Sequence, residues 1–259
     1  VAGAALATVI GQMFAAVLAL IMNLKKNPEV HIRPKLIRFD PVIAGEIYRV
    51  GLPSIIMQSI GSIMTFCMNK ILIAFSTTAA AVFGAYFKLQ SFFFMPIFGL
   101  NNAMVPILAY NYGAAKADRV KQTIKLSVAS AMSIMAIGLL IFETVPAGLL
   151  SFFDASEHMI EIGVPALRII ATHFVLAGFC IPAGSVCQAI GNPVYTLISS
   201  VCRQLVVLLP AAWLLAQTGH LTLVWLAFPI AEIMSLIMSA IFLGKTMKKA
   251  NHSMSARHQ

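Results

Sequence analysis

The chain has 259 residues, 59% of them apolar and only 10% charged, with a mean hydropathy of +0.89. A soluble domain carries about 25% charged residues, so this chain has too few charges to clothe a water-exposed globule, and disordered, collagenous and disulfide-scaffold classes are excluded with it. Eighteen Lys and Arg against nine Asp and Glu give a net charge of +9; in a soluble protein that would suggest nucleic acid, but here the cations have to be located first.

Seven apolar stretches follow in chain order: 1–24, 50–75, 79–110, 124–153, 163–190, 194–217 and 221–244. Each supplies the roughly 20 residues a helix needs to cross about 30 Å of hydrocarbon, and none shows the alternating pattern of a barrel strand. The expected fold is therefore all-α, a polytopic bundle of seven spanning helices. Helix breaks fall where that reading needs them. Asn27-Pro28, Arg33-Pro34 and Asp40-Pro41 punctuate the first linker, and Asn111-Tyr112-Gly113 ends the third stretch. Gly191-Asn192-Pro193 joins the fifth and sixth as a tight antiparallel turn.

The cations lie between the apolar stretches. Six stand in the first linker (Lys25, Lys26, Arg33, Lys35, Arg38, Arg49), four after the third stretch (Lys116, Arg119, Lys121, Lys125) and four in the tail (Lys245, Lys248, Lys249, Arg257). The opposite loops hold Asp154, Glu157 and Glu161 and no Lys or Arg. By the positive-inside rule the basic side is cytoplasmic, which places the carboxy-terminus inside a cell inner membrane. Cys67, Cys180, Cys187 and Cys202 all sit in apolar segments without a CxxC pair, the pattern of buried, inert thiols rather than a metal knuckle or disulfide.

The first residue is Val and no signal-peptide pattern follows it, so the expectation is a carboxy-terminal fragment of a longer protein. The domain reading is a last helix of a missing amino-terminal lobe at 1–24, a cytoplasmic inter-lobe linker at 25–49, a six-helix lobe at 50–244 and a basic cytoplasmic tail at 245–259. Six-helix lobes are half-units of transporters built from two repeats. Walker, HExxH, GxSxG and GxGxxG signatures are missing, so no enzyme activity and no resident cofactor or metal is expected.

Chemistry is carried by polar residues within the apolar helices, because an ionisable group at mid-membrane costs a few kcal/mol and faces a cavity or a partner. These are Lys70, Lys88, Arg168, Arg203 and Glu232. Arg203 and Glu232 lie about 14 and 18 Å from the cytoplasmic helix ends at 1.5 Å per residue, depths at which they can meet. They read either as an ion pair stapling adjacent helices or as an ion-responsive coupling carboxylate with its partner. Lys70 reads as an interfacial anchor, Lys88 as lining a cavity with Gln90, and Arg168 as an anchor or a partner of Glu161. Neutral polar residues mark the second helix (Gln58, Ser62, Asn69) and the third (Gln90, Asn101, Asn102), where interhelical hydrogen bonds and ligand contact explain them equally well. The Phe92-Phe93-Phe94 run and 14 methionines fit lipid-facing packing or a deformable cavity. His173 reads as a satisfied core histidine.

In their order these segments resemble the carboxy-terminal half of a multidrug and toxic compound extrusion (MATE) transporter. The matching pieces are Gly3-Ala4-Ala5-Leu6-Ala7-Thr8-Val9-Ile10-Gly11-Gln12, Gly51-Leu52-Pro53-Ser54, Pro96-Ile97-Phe98-Gly99-Leu100, Tyr110-Asn111-Tyr112-Gly113-Ala114, Gln188-Ala189-Ile190-Gly191-Asn192-Pro193, Arg203-Gln204 with Pro210, and Phe228-Pro229-Ile230-Ala231-Glu232. The resemblance implies a secondary active exporter that exchanges Na⁺ or H⁺ for organic-cation drugs or other small amphipathic substrates by alternating access between two lobes. It implies the lipid bilayer and the missing amino-terminal lobe as partners, and no nucleic acid. One branch of the family carries a coupling glutamate near the position of Gly61 and an aspartate in the tenth helix. Here no acid lies between Gly163 and Ile190, which resembles the bacterial branch whose coupling aspartate is in the other lobe. Gln58, Asn69, Lys88, Gln90 and Asn101 are the expected substrate-wall residues. An exporter of lipid-linked oligosaccharide on the same fold and a non-transporting membrane scaffold are the rival readings.

Overall fold

Lipid offers the backbone no hydrogen-bonding partner, so each crossing segment has to satisfy its own N–H and C=O groups, and the computed structural model is helical wherever the sequence is apolar. It describes residues 2–26 and 40–256. In chain order the helices are α1 (Ala2–Lys26), α2 (Pro41–Ile73), α3 (Thr77–Gly113), α4 (Ala117–Thr144), α5 (Pro146–Ser151), α6 (Glu157–Ala171), α7 (Phe174–Ala189), α8 (Pro193–Val201), a π-helical segment (Cys202–Leu208), α9 (Leu209–Ala216), α10 (Leu221–Val224) and α11 (Ala227–Ala256). Five helices among the described residues are long and apolar enough to cross a membrane, or six when α6 and α7 count as one bent span, and α2 adds a shorter apolar stretch, Ser59–Ile73.

The chain divides into two units, Val1–Gly51 and Leu52–Gln259. In the first, α1 exposes many large apolar side chains, among them Leu6, Val9, Ile10, Phe14 and Val17, as a lipid-embedded helix does. Within the range read as a linker, Pro41 already starts α2: the Asp40 carboxylate caps it by accepting the Val42 N–H at 2.8 Å, and proline takes the first helical position. The rest of that linker, 27–39, lies outside the described residues, as do Arg257 and the two residues after it.

In the second unit, the span expected at 163–190 is two helices bent by 47°. The cause is local. In an unbroken helix the Ile170 carbonyl would accept from Phe174; here it accepts the His173 N–H at 3.2 Å, and the His173 ring nitrogen Nδ1 bonds the same oxygen. A side chain inserted into the helical ladder is a recognised source of kinks. The span expected at 194–217 is likewise interrupted, by the π segment. Pro210 has no N–H to give, and its ring would crowd the Val206 carbonyl in a regular helix; the wider turns before it relieve that crowding, and Leu209 donates to Gln204 five residues back.

Where α7 meets α8 the turn is tight and antiparallel. Gly191 takes φ +89, the Asn192 N–H reaches the Cys187 carbonyl at 2.8 Å and the Gly191 N–H reaches Gln188 at 3.0 Å, the two bonds of a Schellman stop. The Thr196 hydroxyl then donates across the pair to the Gly184 carbonyl at 2.9 Å.

Two apolar clusters hold this unit together. The larger one packs Phe83, Tyr86, Phe142, Phe174, Trp225 and Phe228 between α3, α4, α6, α7 and α11. The smaller one lies at the end taken as cytoplasmic, where Ala250 and Met254 of α11 pack on Met104, Leu108, Ala115 and Val120. Residues 245–256 of the range read as a basic tail continue α11, with Ala250 and Met254 docked in this cluster.

Packing is closest between α4 and α7. A Cβ added at Gly178 would stand 3.0 Å from the Met132 Cα and 3.1 Å from the Ala131 carbonyl oxygen, backbone atoms that cannot swing aside. Gly178→Ala is expected to destabilise the fold by about 1–3 kcal/mol. Gly99→Ala, at a position with nothing within 4 Å, is the control. A thermal melt of the complete protein in detergent compares them, and equal melting temperatures would refute the close approach.

Candidate functional site

Several of the polar residues within the apolar helices of the second unit line one cavity of about 710 Å³, within the range of small-molecule pockets, about 300–1,000 Å³. Helical periodicity brings them there. On α3, Gln90, Phe94, Phe98, Asn101 and Val105 recur every three or four residues and form one wall. On α11, Phe228, Glu232, Ser235, Ser239 and Phe242 form a second by the same spacing, while the π segment contributes Arg203 and Gln204.

Arg203 and Glu232 meet. The Arg203 Nη1 donates to the Glu232 Oε2 at 3.3 Å, joining the π segment to α11. The pair is asymmetric: the Glu232 side chain is 3% exposed and that of Arg203 is 34% exposed. The carboxylate is thus the more deeply buried partner, and both residues belong to the cavity lining. Among the described residues lining it, no other Asp, Glu, Lys or Arg is present.

Asn101 is buried on the same surface, and its Oδ1 is a buried acceptor without a hydrogen-bond partner. An unmet acceptor in a protein interior costs about 1–3 kcal/mol, and this one is shielded from the cavity as well as from protein donors. His173, at the α6–α7 bend, also lines it. Because the Ile170 carbonyl can only accept, Nδ1 carries the proton in that contact, leaving Nε2 as an acceptor in the neutral ring. Its ring stacks on Phe228 with centroids 6.2 Å apart.

Of the residues singled out in the sequence, Gln90, Asn101, Asn102, Arg203 and Glu232 are brought together around this space. Lys88 is not. Two residues from Gln90 on a helix is a rotation of about 200°, so the two face opposite ways, and the Lys88 Nζ lies 5.9 Å from the Phe153 ring centroid instead. Asn69, one turn beyond Thr65, is not on the cavity wall either; its neighbours Met68 and Leu72 are fully buried in the apolar core. The Gln58 side chain lies outside the described residues. Lys70 rests over Phe66 at 4.9 Å. Arg168 pairs not with Glu161 but with Glu143, at 3.8 Å, and its Nε donates to the Glu143 carbonyl at 3.2 Å. Glu161 faces His158.

Sequence reasoning passed over Gln204, Ser235, Ser239 and the cavity-lining face of His173. The α11 pair was legible in principle: Ser235 and Ser239 follow Glu232 at three- and four-residue steps, the face of the acid already singled out. Gln204 was not, because its orientation depends on the π turns.

A helical lobe closed around a polar cavity, with apolar side chains on its outer surface, defines a polytopic membrane protein with an internal site. The MatE family profile matches residues 53–214, and the chain belongs to that family. It is 27% identical over 232 residues to the multidrug export protein MepA of Staphylococcus aureus (strain bovine RF122 / ET3-1), covering 90% of this chain and 51% of that protein. It is also 27% identical over 226 residues to MepA of Staphylococcus saprophyticus, covering 87% and 50%. The chain therefore spans about half the length of the curated relatives it matches. A multidrug resistance MATE family transporter of the MOP superfamily, solved in an outward-facing conformation, shares the fold at a TM-score of 0.84 and 22% identity, over 96% of this chain and 57% of that one.

Removing one member of the buried pair should be more damaging than removing both. Arg203→Ala leaves the Glu232 carboxylate uncompensated and is expected to cost about 3 kcal/mol, whereas Arg203→Gln combined with Glu232→Gln is expected to recover most of that loss. Melting temperatures of the two variants decide it, and an undisturbed Arg203→Ala protein would show that the pair holds nothing together.

Proposed function

We propose that this chain forms the carboxy-terminal lobe, with the helix that precedes it, of a secondary active multidrug exporter. In this reading the protein is a multi-pass protein of the cell inner membrane with its carboxy-terminus in the cytoplasm. The lobe rocks against an amino-terminal lobe, and a Na⁺ or H⁺ gradient drives the export of small amphipathic molecules, organic cations among them. The observation that carries it is the cavity: Gln90, Asn101, Arg203 and Glu232, polar residues within apolar helices, are gathered with other polar groups around one space of small-molecule size, in a chain related to multidrug export proteins. An exporter of lipid-linked oligosaccharide would be expected to want a strongly cationic cavity, whereas Lys70 and Lys88 rest against phenylalanine rings away from it.

The test is efflux of ethidium and rhodamine B from cells expressing the complete reading frame, with the H⁺ and Na⁺ gradients collapsed separately. Export lost with one gradient and kept with the other is expected, and names the coupling ion. A well-expressed, membrane-inserted protein that exports neither dye would overturn the reading.

A further inference from the structure

We propose that the last turns of α11 form a binding face for anionic phospholipids of the cytoplasmic leaflet, whose phosphodiester head groups are held by Lys245, Lys248 and Lys249. The inference rests on the orientation proposed above, with this end of the lobe at the cytoplasm, and is independent of the central cavity and its substrate.

The helix separates two faces. At about 100° per residue, Lys245, Lys248, Lys249 and His252 fall within one arc of about 100°, and Thr246, Met247, Ala250 and Met254 fall within a second arc of similar width on nearly the opposite side. The second face is docked: Thr246 and Met254 are each 1% exposed, Ala250 is fully buried, and Met247 packs on the same apolar cluster. All four positions of the first face are exposed. Docking therefore fixes the three lysines in one outward row. The positive-inside rule asks only that cations lie on this side of the membrane; it does not ask that they share one face of a helix whose other face is packed away.

The charge of this end is uncompensated. Residues 104–125 and 243–256, segments that the smaller cluster joins, contain seven Lys and Arg and a single acid, Asp118. Among the described residues, none of those cations takes part in an ion pair. Lys116 and Arg119 line a cleft of about 450 Å³ together with Asp118, Met254 and Ser255, and Lys121 and Lys125 are exposed one turn apart on α4. Like charges gathered on one surface raise a positive potential that a bound anion relieves.

Depth decides which anion. The apolar stretch of α11 ends at Gly244, so Lys245 to Lys249 stand about 1.5–7.5 Å beyond it at 1.5 Å per residue. A head-group layer is about 5–8 Å thick on each side of the hydrocarbon. The row thus lies at the level of the lipid phosphates, where basic clusters just cytoplasmic of a spanning helix attract anionic lipid.

The complete protein in detergent micelles is titrated with dioleoyl phosphatidylglycerol or dioleoyl phosphatidylcholine, and bound lipid is counted by native mass spectrometry. Phosphatidylglycerol is expected to bind at least about tenfold more tightly. Lys245→Gln with Lys248→Gln and Lys249→Gln should lower its affinity at least about tenfold and leave phosphatidylcholine unchanged. The corresponding triple Lys→Arg protein should keep the preference, as should Lys70→Gln with Lys88→Gln, which removes two cations at the opposite end. Inorganic phosphate, added as a competitor, should not displace the lipid. Equal binding of the two lipids by the unmodified protein, a preference that survives the triple Lys→Gln substitution or is lost with Lys70 and Lys88, or displacement by inorganic phosphate would each overturn the proposal. Micelles offer lipid to both ends and no transport is measured, so a failure here leaves the exporter reading intact, and a failure of dye efflux leaves the lipid face intact.

Discussion

Backbone hydrogen bonding sets the terms for this fold, because no N–H or C=O can be left to solvent inside a bilayer. Irregular backbone is tolerated only where the protein itself, or a polar cavity, answers for it. Two departures from regular helix in the second unit are the bend at His173 and the π turns at Cys202–Leu208. Both answer the constraint with their own atoms. The Ile170 carbonyl takes the His173 N–H and ring nitrogen in place of the Phe174 N–H, and the Gln204 carbonyl takes the Leu209 N–H. Both also line the same cavity. These two departures thus coincide with the walls of the site.

The π segment has a further consequence for charge. A residue gained within a helix rotates everything on one side of it by about 100° relative to the other. Arg203 and Gln204 sit within these turns, next to α11, and this is where the guanidinium meets Glu232. Pro210 matters at a distance of several residues: it makes the widened turns favourable, and the widened turns orient the cation. A substitution at Pro210 would be felt first through the pairing of Arg203, not through the apolar residues around the proline.

How much of this was legible in the sequence depended on whether a feature is local. Hydropathy located the helical stretches, and Gly191-Asn192-Pro193 marked a turn whose hydrogen bonds are those of a Schellman stop. Depth counted in residues was enough to bring Arg203 and Glu232 level. Rotation about the helix axis was where the reading failed. Lys88 and Gln90 were placed on one surface although two helical residues diverge by some 200°, and Arg168 was matched to Glu161 by nearness in sequence while its partner, Glu143, comes from the neighbouring α4. The three phenylalanines 92–94 make the same point in one turn. Phe92 faces outward, Phe93 packs on Phe142 and Phe174, and Phe94 lines the cavity. A run that composition describes with one word serves three environments.

The position of the acid separates this cavity from the pattern that the family resemblance implies for another branch. There a glutamate is expected near Gly61; here Gly61 lies opposite Gln204, whose Oε1 would stand 3.9 Å from a Cβ built on the glycine. A carboxylate at that point would project from α2 toward the π segment. In this chain the carboxylate comes from α11 instead and meets Arg203 at 3.3 Å on the wall of the same cavity. Glycine at 61 leaves room beside the π segment, and Glu232 supplies the counter-charge from α11, so the acid reaches this cavity from a different helix than the resemblance implies for that branch.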